Sequence, residues 1–285
     1  MDDSKFVIIG ANGQLGTALR EQYPNARAVD TTELDITDTQ AVRSFDWSNV
    51  TTILNAAAYT NVDGAETPEG RVAAWKVNAT GPRNLAEVAT QHDITLLHIS
   101  SDYVFDGEQK VHTENEALSP LGVYGQTKAA GDLTVSLAPK HYILRSTWVI
   151  GEGKNFVRTM IGLGQKGIAP TVVADQIGRL TFTTELVRII DHLLQKSPDY
   201  GTYNATNSGT VASWAEITRE IFKLGGYDLR VTDTTTEEYF ASKPNIAPRP
   251  LNSEMDLGKL QQTGFASRDW HDDLAAYINK ELEQS

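Results

Sequence analysis

"FVIIGANGQLG", residues 6–16, runs from an apolar, β-branched segment through Gly10, Gly13 and Gly16 into a segment with helical spacing. Glycine at the end of a strand lets the backbone turn tightly and approach a ligand. A helix that starts directly afterwards offers its free N–H groups to an anion. The spacing G-x-x-G-x-x-G differs from the commoner G-x-G-x-x-G fingerprint but serves the same geometry, a pyrophosphate against the turn and a last glycine where helix and sheet approach. A merely tight strand–helix turn would look the same, so the flanking sequence decides the weight of the motif.

Apolar segments recur at "KFVII", "ARAV", "TTILN", "ITLLHIS" and "HYILRS", with helical spacing between them over 14–23, 78–92 and 124–137. Short buried strands alternating with helices give a parallel sheet covered on both faces. The expected fold class is α/β: a Rossmann-type, doubly wound dinucleotide-binding sheet over residues 1–150. A smaller mixed α/β lobe over 151–285, closely packed on it, would bind substrate. In that lobe "PTVVADQ" and "GTYNAT" read as strands. "TFTTELVRIIDHLLQ", "VASWAEITREIFKLGG" and residues 269–282 read as helices, and "SKPNIAPRPLNSEMD" as irregular chain.

The 285 residues are 40% hydrophobic and 22% charged, as in an ordinary globular protein. No apolar run is long enough to cross a bilayer, and the opening "MDDSKF" is too acidic for a secretory signal. Cysteine is absent, which removes disulfides, thiolate nucleophiles and thiolate metal sites. A net charge of -12 argues against a broad nucleic-acid surface and fits a solvated acidic exterior. The expectation is a cytoplasmic protein with neither a membrane nor a nucleic acid as partner.

Asp30 ends the second strand pattern, close to where a carboxylate binds the ribose 2′-hydroxyl of NAD and repels a 2′-phosphate. Arg27 beside it keeps NADP open. Further on, Tyr124 and Lys128 in "SPLGVYGQTKAAGD" stand four residues apart, on one face of a predicted helix. A lysine ammonium beside a phenol favours the phenolate and makes the tyrosine a better proton carrier. The same spacing recurs at Tyr239 and Lys243, so position must discriminate. Tyr124 follows "LLHISSDYVFDG", a strand pattern ending in Ser100 and Ser101, where hydroxyls face the ligand crevice of a parallel sheet. Ser101 there could stabilise the oxyanion formed when hydride reaches a carbonyl.

These features resemble the extended short-chain dehydrogenase/reductase superfamily. More narrowly, the chain resembles the dTDP-4-dehydrorhamnose reductase family. The stretches that carry this run almost end to end: "GANGQLG", "LNAAAYTNVDGAE", "VNATGPRNLA", "HISSDYVFDG", "YGQTKAAGD", "LRSTWVIGEGKNFVRTM", "VVADQIGRLT" and "PRPLNSEMD". The resemblance implies hydride transfer from NADPH or NADH to the C4 ketone of dTDP-4-dehydro-β-L-rhamnose, the last step of dTDP-L-rhamnose synthesis. It implies Ser101, Tyr124 and Lys128 as the catalytic set. Gly10, Asn12, Gly13, Gln14, Leu15 and Gly16 would form the cofactor turn, with Gly13, Gln14 and Leu15 against the pyrophosphate. Asp30, Asp35 and Ile36 would face the adenosine, and Ala58, Tyr59 and Thr60 would line the path to the nicotinamide. Ser101, Asp102, Tyr103 and Trp148 would contact the sugar, and Asn155, Gln176 and Arg249 the nucleotide-sugar side.

Three positions depart from the family pattern. Ser101 replaces a threonine and keeps the hydroxyl, and Leu180 replaces a proline and predicts a different local turn. Some relatives dimerise through magnesium held by glutamates, one of them in the first helix. That position is Ala18 here, which speaks against a metal-bridged dimer and leaves a monomer or a simple homodimer. No zinc-like histidine spacing and no G-x-S-x-G turn occurs, so no metal site is expected. His98 reads as a satisfied core residue, and Trp47, Trp75, Trp214 and Trp270 as packing. Two other readings are a non-catalytic dinucleotide-binding regulatory subunit and a nucleotide-sugar epimerase or 4,6-dehydratase. The intact Ser101, Tyr124 and Lys128 count against the first. A dehydratase would carry an acidic pair after the catalytic hydroxyl, where this chain has Asp102 and Tyr103.

Overall fold

The apolar runs of the first half form β1 (Phe6–Ile9), β2 (Arg27–Val29), β3 (Thr52–Asn55), β4 (Thr95–Ser101) and β5 (His141–Ser146) in the computed structural model, which describes residues 1–241 and 246–283. Between them lie α1 (Gln14–Gln22), α2 (Thr39–Ser44), α3 (Pro68–Trp75), α4 (Gly81–Gln91) and α5 (Val123–Val135). A π-helical turn at Lys76–Thr80 joins α3 to α4. Too short for a periodic signal, α2 is started by Asp38, whose carboxylate accepts from the Gln40 and Ala41 N–H groups.

The second half runs β6 (Val149–Ile150), α6 (Phe156–Gln165), β7 (Thr171–Val173), β8 (Ile177–Gly178), β9 (Thr181–Phe182), α7 (Thr183–Lys196) and β10 (Gly201–Asn204). It continues through β11 (Ala212–Ser213), α8 (Trp214–Leu224), β12 (Thr232–Thr234), α9 (Thr236–Phe240), α10 (Gly258–Gln262) and α11 (Trp270–Glu283). A capping box between Ser213 and Glu216 fixes the start of α8, and Gly225 caps its end.

Six strands make one parallel sheet in the order β10-β5-β4-β3-β1-β2. The strands alternate faces. Ile8, Leu54, Leu97 and Leu144 join Leu15, Leu19, Leu186 and Ile190 beneath α1 and α7. Val7, Ile9, Ile53, Leu96 and Ile143 join Leu85, Val88 and Val135 beneath α4 and α5. Strand order reverses direction between β1 and β3, so the ligand crevice opens at their carboxyl ends.

The expected boundary at residue 150 is not where the sheet ends. Helix α7 packs on the same core as α1, and β10 pairs with β5 through Tyr203 and Leu144. An edge strand as apolar as β5 needs a neighbour and a cover, and residues 183–204 supply both. Most of the remaining second-half elements form a third core around Ile150, Val157, Leu180, Phe182, Ile221 and Trp270, while Leu260 of α10 joins the core beneath α1 and α7. Leu180, the departure from the family pattern, is fully buried there.

Of the tryptophans read as packing, Trp47 and Trp270 are buried, but Trp75 is 42% exposed. Trp214 stacks on Trp148 with ring centroids 3.8 Å apart. Among the described residues no helix is long and apolar enough to cross a membrane.

Candidate active site

The three glycines of the first turn have three different reasons. Gly10 has φ +75°, and a Cβ on it would stand 2.7 Å from the Ala57 backbone. A Cβ on Gly16 would stand 2.1 Å from the Gly10 carbonyl oxygen, so α1 can lie this close to β1 only without a side chain there. At Gly13 the nearest atom would be 3.4 Å away, which is ordinary contact. Gly13 is also the N-cap of α1, where no side chain caps the helix. Its first amides are thus left for an anion. A pyrophosphate fits this cradle: two glycines are needed by the fold, and the third leaves the approach to the helix end open.

Around the turn, Asp30 accepts from the Asn12 N–H at 3.2 Å and from the Thr31 N–H at 2.7 Å, so its carboxylate is fixed at the end of β2. Arg27 does not join it; its guanidinium covers the Phe45 ring at 4.0 Å. The basic group that reaches the turn is Arg20, which donates to Asn12 Oδ1 at 3.4 Å. The Asp35 carboxylate accepts from the Thr37 N–H, and the Ile36 side chain is buried against Gly81. The Gln14 side chain is turned away from the glycines, accepting from the Gly151 N–H at 2.9 Å and so tying α1 to the second half.

Ala58 and Tyr59 are half-buried and Thr60 exposed on the loop after β3. Tyr59 and Tyr124 pack on one small cluster of Ala65, Ala74 and Val123. That loop is held by Asn78, which the sequence did not single out. Its Oδ1 accepts from the Tyr59 N–H at 2.8 Å, and its Nδ2 donates to the Tyr59 carbonyl and to Thr127 Oγ1 of α5. Asn78 sits in the π-helical turn, and such turns recur at functional sites.

Ser101 closes β4 opposite Ser146 of β5, and α5 begins one loop later with Tyr124 in its first turn. Tyr124 packs edge-on against Tyr103, centroids 5.4 Å apart. Burial raises the Tyr124 phenol to about 12, opposed by the Ser101 hydroxyl facing it. One turn along, Lys128 is 1% exposed and donates to the Ile99 carbonyl at 2.5 Å. Burial lowers its pKa to about 8, against the pull of the Asp132 carboxylate a further turn on. In this structure burial, which raises the phenol, outweighs the Ser101 hydroxyl that lowers it, so the phenol is held as the acid. Beneath the pair, the Arg145 guanidinium donates to Asp132 at 3.0 Å, both side chains being buried. His98 is fully buried; its Nδ1 bonds to Asn55 Nδ2 at 2.9 Å, but its Nε2 has no partner among the described residues, so it is only half satisfied.

The remaining predicted residues divide. Gln176 and Arg249 line a cavity of about 340 Å³ in the second lobe, with Phe156, Met160, Val172 and Trp214 as its apolar walls. Trp148, whose φ of +39° is strained for a bulky residue, stacks behind it on Trp214. Asn155 does not open into this cavity. Its Oδ1 accepts from the Arg158 N–H at 3.0 Å and caps α6, while its Nδ2 donates to the Gly151 carbonyl and to Tyr277 Oη. Asp102 is buried too, turned from the crevice toward Ser101 and Ser253. Tyr239 lines the cavity wall, and Lys243, the other half of that second copy of the spacing, lies outside the described residues. Asp63 was also missed. Its carboxylate receives both the Arg249 guanidinium, at 2.8 and 2.9 Å, and the Ala247 N–H. No group of three His, Cys, Asp or Glu able to hold a metal occurs among the described residues.

A parallel sheet in this strand order, with a glycine turn at its switch point, is a Rossmann-type dinucleotide fold. The chain belongs to the family described as RmlD substrate binding domain, which matches residues 4–283. It is 39% identical over 289 residues to a dTDP-4-dehydrorhamnose reductase of Aggregatibacter actinomycetemcomitans, covering 94% of this chain and 96% of that protein. The crystal structure of a dTDP-4-dehydrorhamnose reductase from Clostridium acetobutylicum superposes with a TM-score of 0.89 at 39% identity, over 98% of this chain and 99% of the other. That of the Bacillus anthracis dTDP-4-dehydrorhamnose reductase, in complex with NADP, superposes with a TM-score of 0.88 at 34% identity, over 97% and 98%.

Proposed function

We propose that this chain reduces the C4 ketone of dTDP-4-dehydro-β-L-rhamnose to dTDP-β-L-rhamnose, the last step of dTDP-L-rhamnose biosynthesis, with NADPH or NADH as reductant. What carries the reading is the meeting of Ser101, Tyr124 and Lys128 at the carboxyl end of β4, in a chain so similar to reductases of that name. The glycine turn and the free end of α1 would hold the cofactor pyrophosphate, with Asp30 toward the adenosine ribose and Tyr59 toward the nicotinamide. When bound, the reduced nicotinamide supplies the hydride.

Tyr124 gives its phenolic proton to the carbonyl oxygen as charge develops there. A pKa of about 12 keeps that proton in place at neutral pH until the alkoxide, a stronger base, calls for it. The Ser101 hydroxyl orients the ketone and stabilises the same oxygen. Lys128, ionised below about pH 8, stabilises the phenolate left behind. Arg249 offers a planar guanidinium to the diphosphate at the edge of the apolar cavity, which would take the base and sugar.

The test is oxidation of NADPH, and separately of NADH, followed by loss of the reduced-nicotinamide absorbance with dTDP-4-dehydro-L-rhamnose generated in the cuvette. Turnover supports the reading. Folded protein that binds the cofactors but turns over with neither overturns it in favour of a regulatory subunit or another sugar.

A further inference from the structure

The mechanism above leaves unused one carboxyl group, which is hydrogen-bonded to the Ser101 hydroxyl. Asp102 is 2% exposed, and both its oxygens are occupied. Oδ1 accepts from Ser101 Oγ at 2.9 Å and Oδ2 from Ser253 Oγ at 2.6 Å. Ser253 is itself buried and comes from the C-terminal segment, pinned by its N–H donating to the Ile177 carbonyl at 2.8 Å. The plane of the carboxyl is therefore fixed from both halves of the molecule.

A serine hydroxyl has one proton and two lone pairs. One lone pair of Ser101 accepts from the Tyr103 N–H at 3.2 Å. If Asp102 is ionised, the Ser101 proton goes to it. The second lone pair then faces the crevice and can only accept, competing with the substrate for the Tyr124 proton. If Asp102 is neutral with its proton on Oδ1, it donates to Ser101. Both lone pairs are then filled, and what Ser101 presents to the crevice is its proton. Only that arrangement lets Ser101 donate to a carbonyl oxygen gaining charge.

We propose that Asp102, clamped by Ser253, is a positioning residue that works as a neutral acid and makes Ser101 the donor to the substrate carbonyl. The proposal rests on the roles assigned to Ser101 and Tyr124 above. Burial favours the neutral acid by raising its pKa, opposed by the two serine hydroxyls and by His112. Tyr103 and Tyr124 also face it, and Glu254, next to Ser253, is paired with Arg179. The donor arrangement is thus lost as pH rises through the Asp102 pKa.

Asp102→Asn keeps the shape and replaces the acid O–H by a permanent amide N–H. It is expected to hold kcat within about tenfold of the parent and to lose the rate decline that Asp102 ionisation causes. Asp102→Ala, with no donor, is expected to lose about a hundredfold or more in kcat, as when an oxyanion donor is removed. An Asn variant as inactive as the Ala variant at every pH, while folded and binding NADPH, overturns the proposal, and so does an Ala variant of near-parental rate. A second readout needs no substrate. The carboxyl-carbon NMR signal of Asp102, assigned by its loss in Asp102→Asn, should titrate above the ordinary aspartate range, and titration within that range overturns the proposal. A high titration in a protein that does not reduce the sugar would sink the functional reading and leave the neutral acid standing.

Discussion

The β4–α5 corner and the C-terminal lobe reach their functional geometry by opposite routes. In the corner, neighbours in sequence are neighbours in space: Ser101, Asp102 and Tyr103 follow one another, and Tyr124, Lys128 and Asp132 share one face of α5. In the lobe the hydrogen bonds that Gln176, Arg249 and Asn155 make to other side chains are long-range. Arg249 meets Asp63, Gln176 donates to Thr236 and accepts from Trp214 Nε1, and Asn155 meets Tyr277. A short-range arrangement is written in helix periodicity and strand ends, whereas a long-range one waits for the fold. The corner should accordingly hold the chemistry and the lobe the affinity. Tyr124→Phe is expected to lower kcat by roughly 10²–10⁴ while the dissociation constant for NADPH, followed by its fluorescence, stays put. Near-normal turnover in that variant would remove the acid from the mechanism. In the parent, reduction should also slow as pH rises through about 8, where buried Lys128 gives up its charge. That limb should persist in Asp102→Asn.

The glycine turn sharpens the comparison, because there one motif contains both kinds of constraint. Gly16→Ala would drive a Cβ into the Gly10 carbonyl, so a loss of about 1–3 kcal/mol in urea unfolding is expected. Gly13→Ala meets nothing closer than 3.4 Å. It should cost about 1 kcal/mol or less, with the main effect on cofactor affinity. Equal destabilisation by the two would mean that the turn serves the fold alone.

In the lobe, Arg249→Ala should raise KM for the nucleotide sugar by roughly ten- to a hundredfold, the worth of a hydrogen bond to a charged group. The NADPH dissociation constant should not change. An unchanged sugar KM would leave Arg249 a strut between Asp63 and the lobe rather than a diphosphate ligand.

What the sequence disclosed follows the same division. The sheet, its glycine turn and the Tyr124–Lys128 face were legible because strand and helix periods are local signals. Desolvation was not legible: spacing puts a lysine beside a phenol, but only the fold says how dry the pair is. Asp102 is a sugar contact by resemblance alone, and the Ser253 hydroxyl that donates to it comes from far along the chain. Asn78, Asp63 and Ser253 are ordinary polar residues whose importance lies in partners a linear reading does not supply.

Asn155 gives the finest test, since family resemblance and geometry disagree about it. Its side chain is consumed by capping α6 and by bonds to Gly151 and Tyr277. Asn155→Ala should therefore lower stability by about 1 kcal/mol, the usual cost of a lost N-cap, while KM for the sugar stays at the parental value. A raised KM with unchanged stability would show that the cap opens when substrate arrives, and that Asn155 belongs with Gln176 and Arg249 after all.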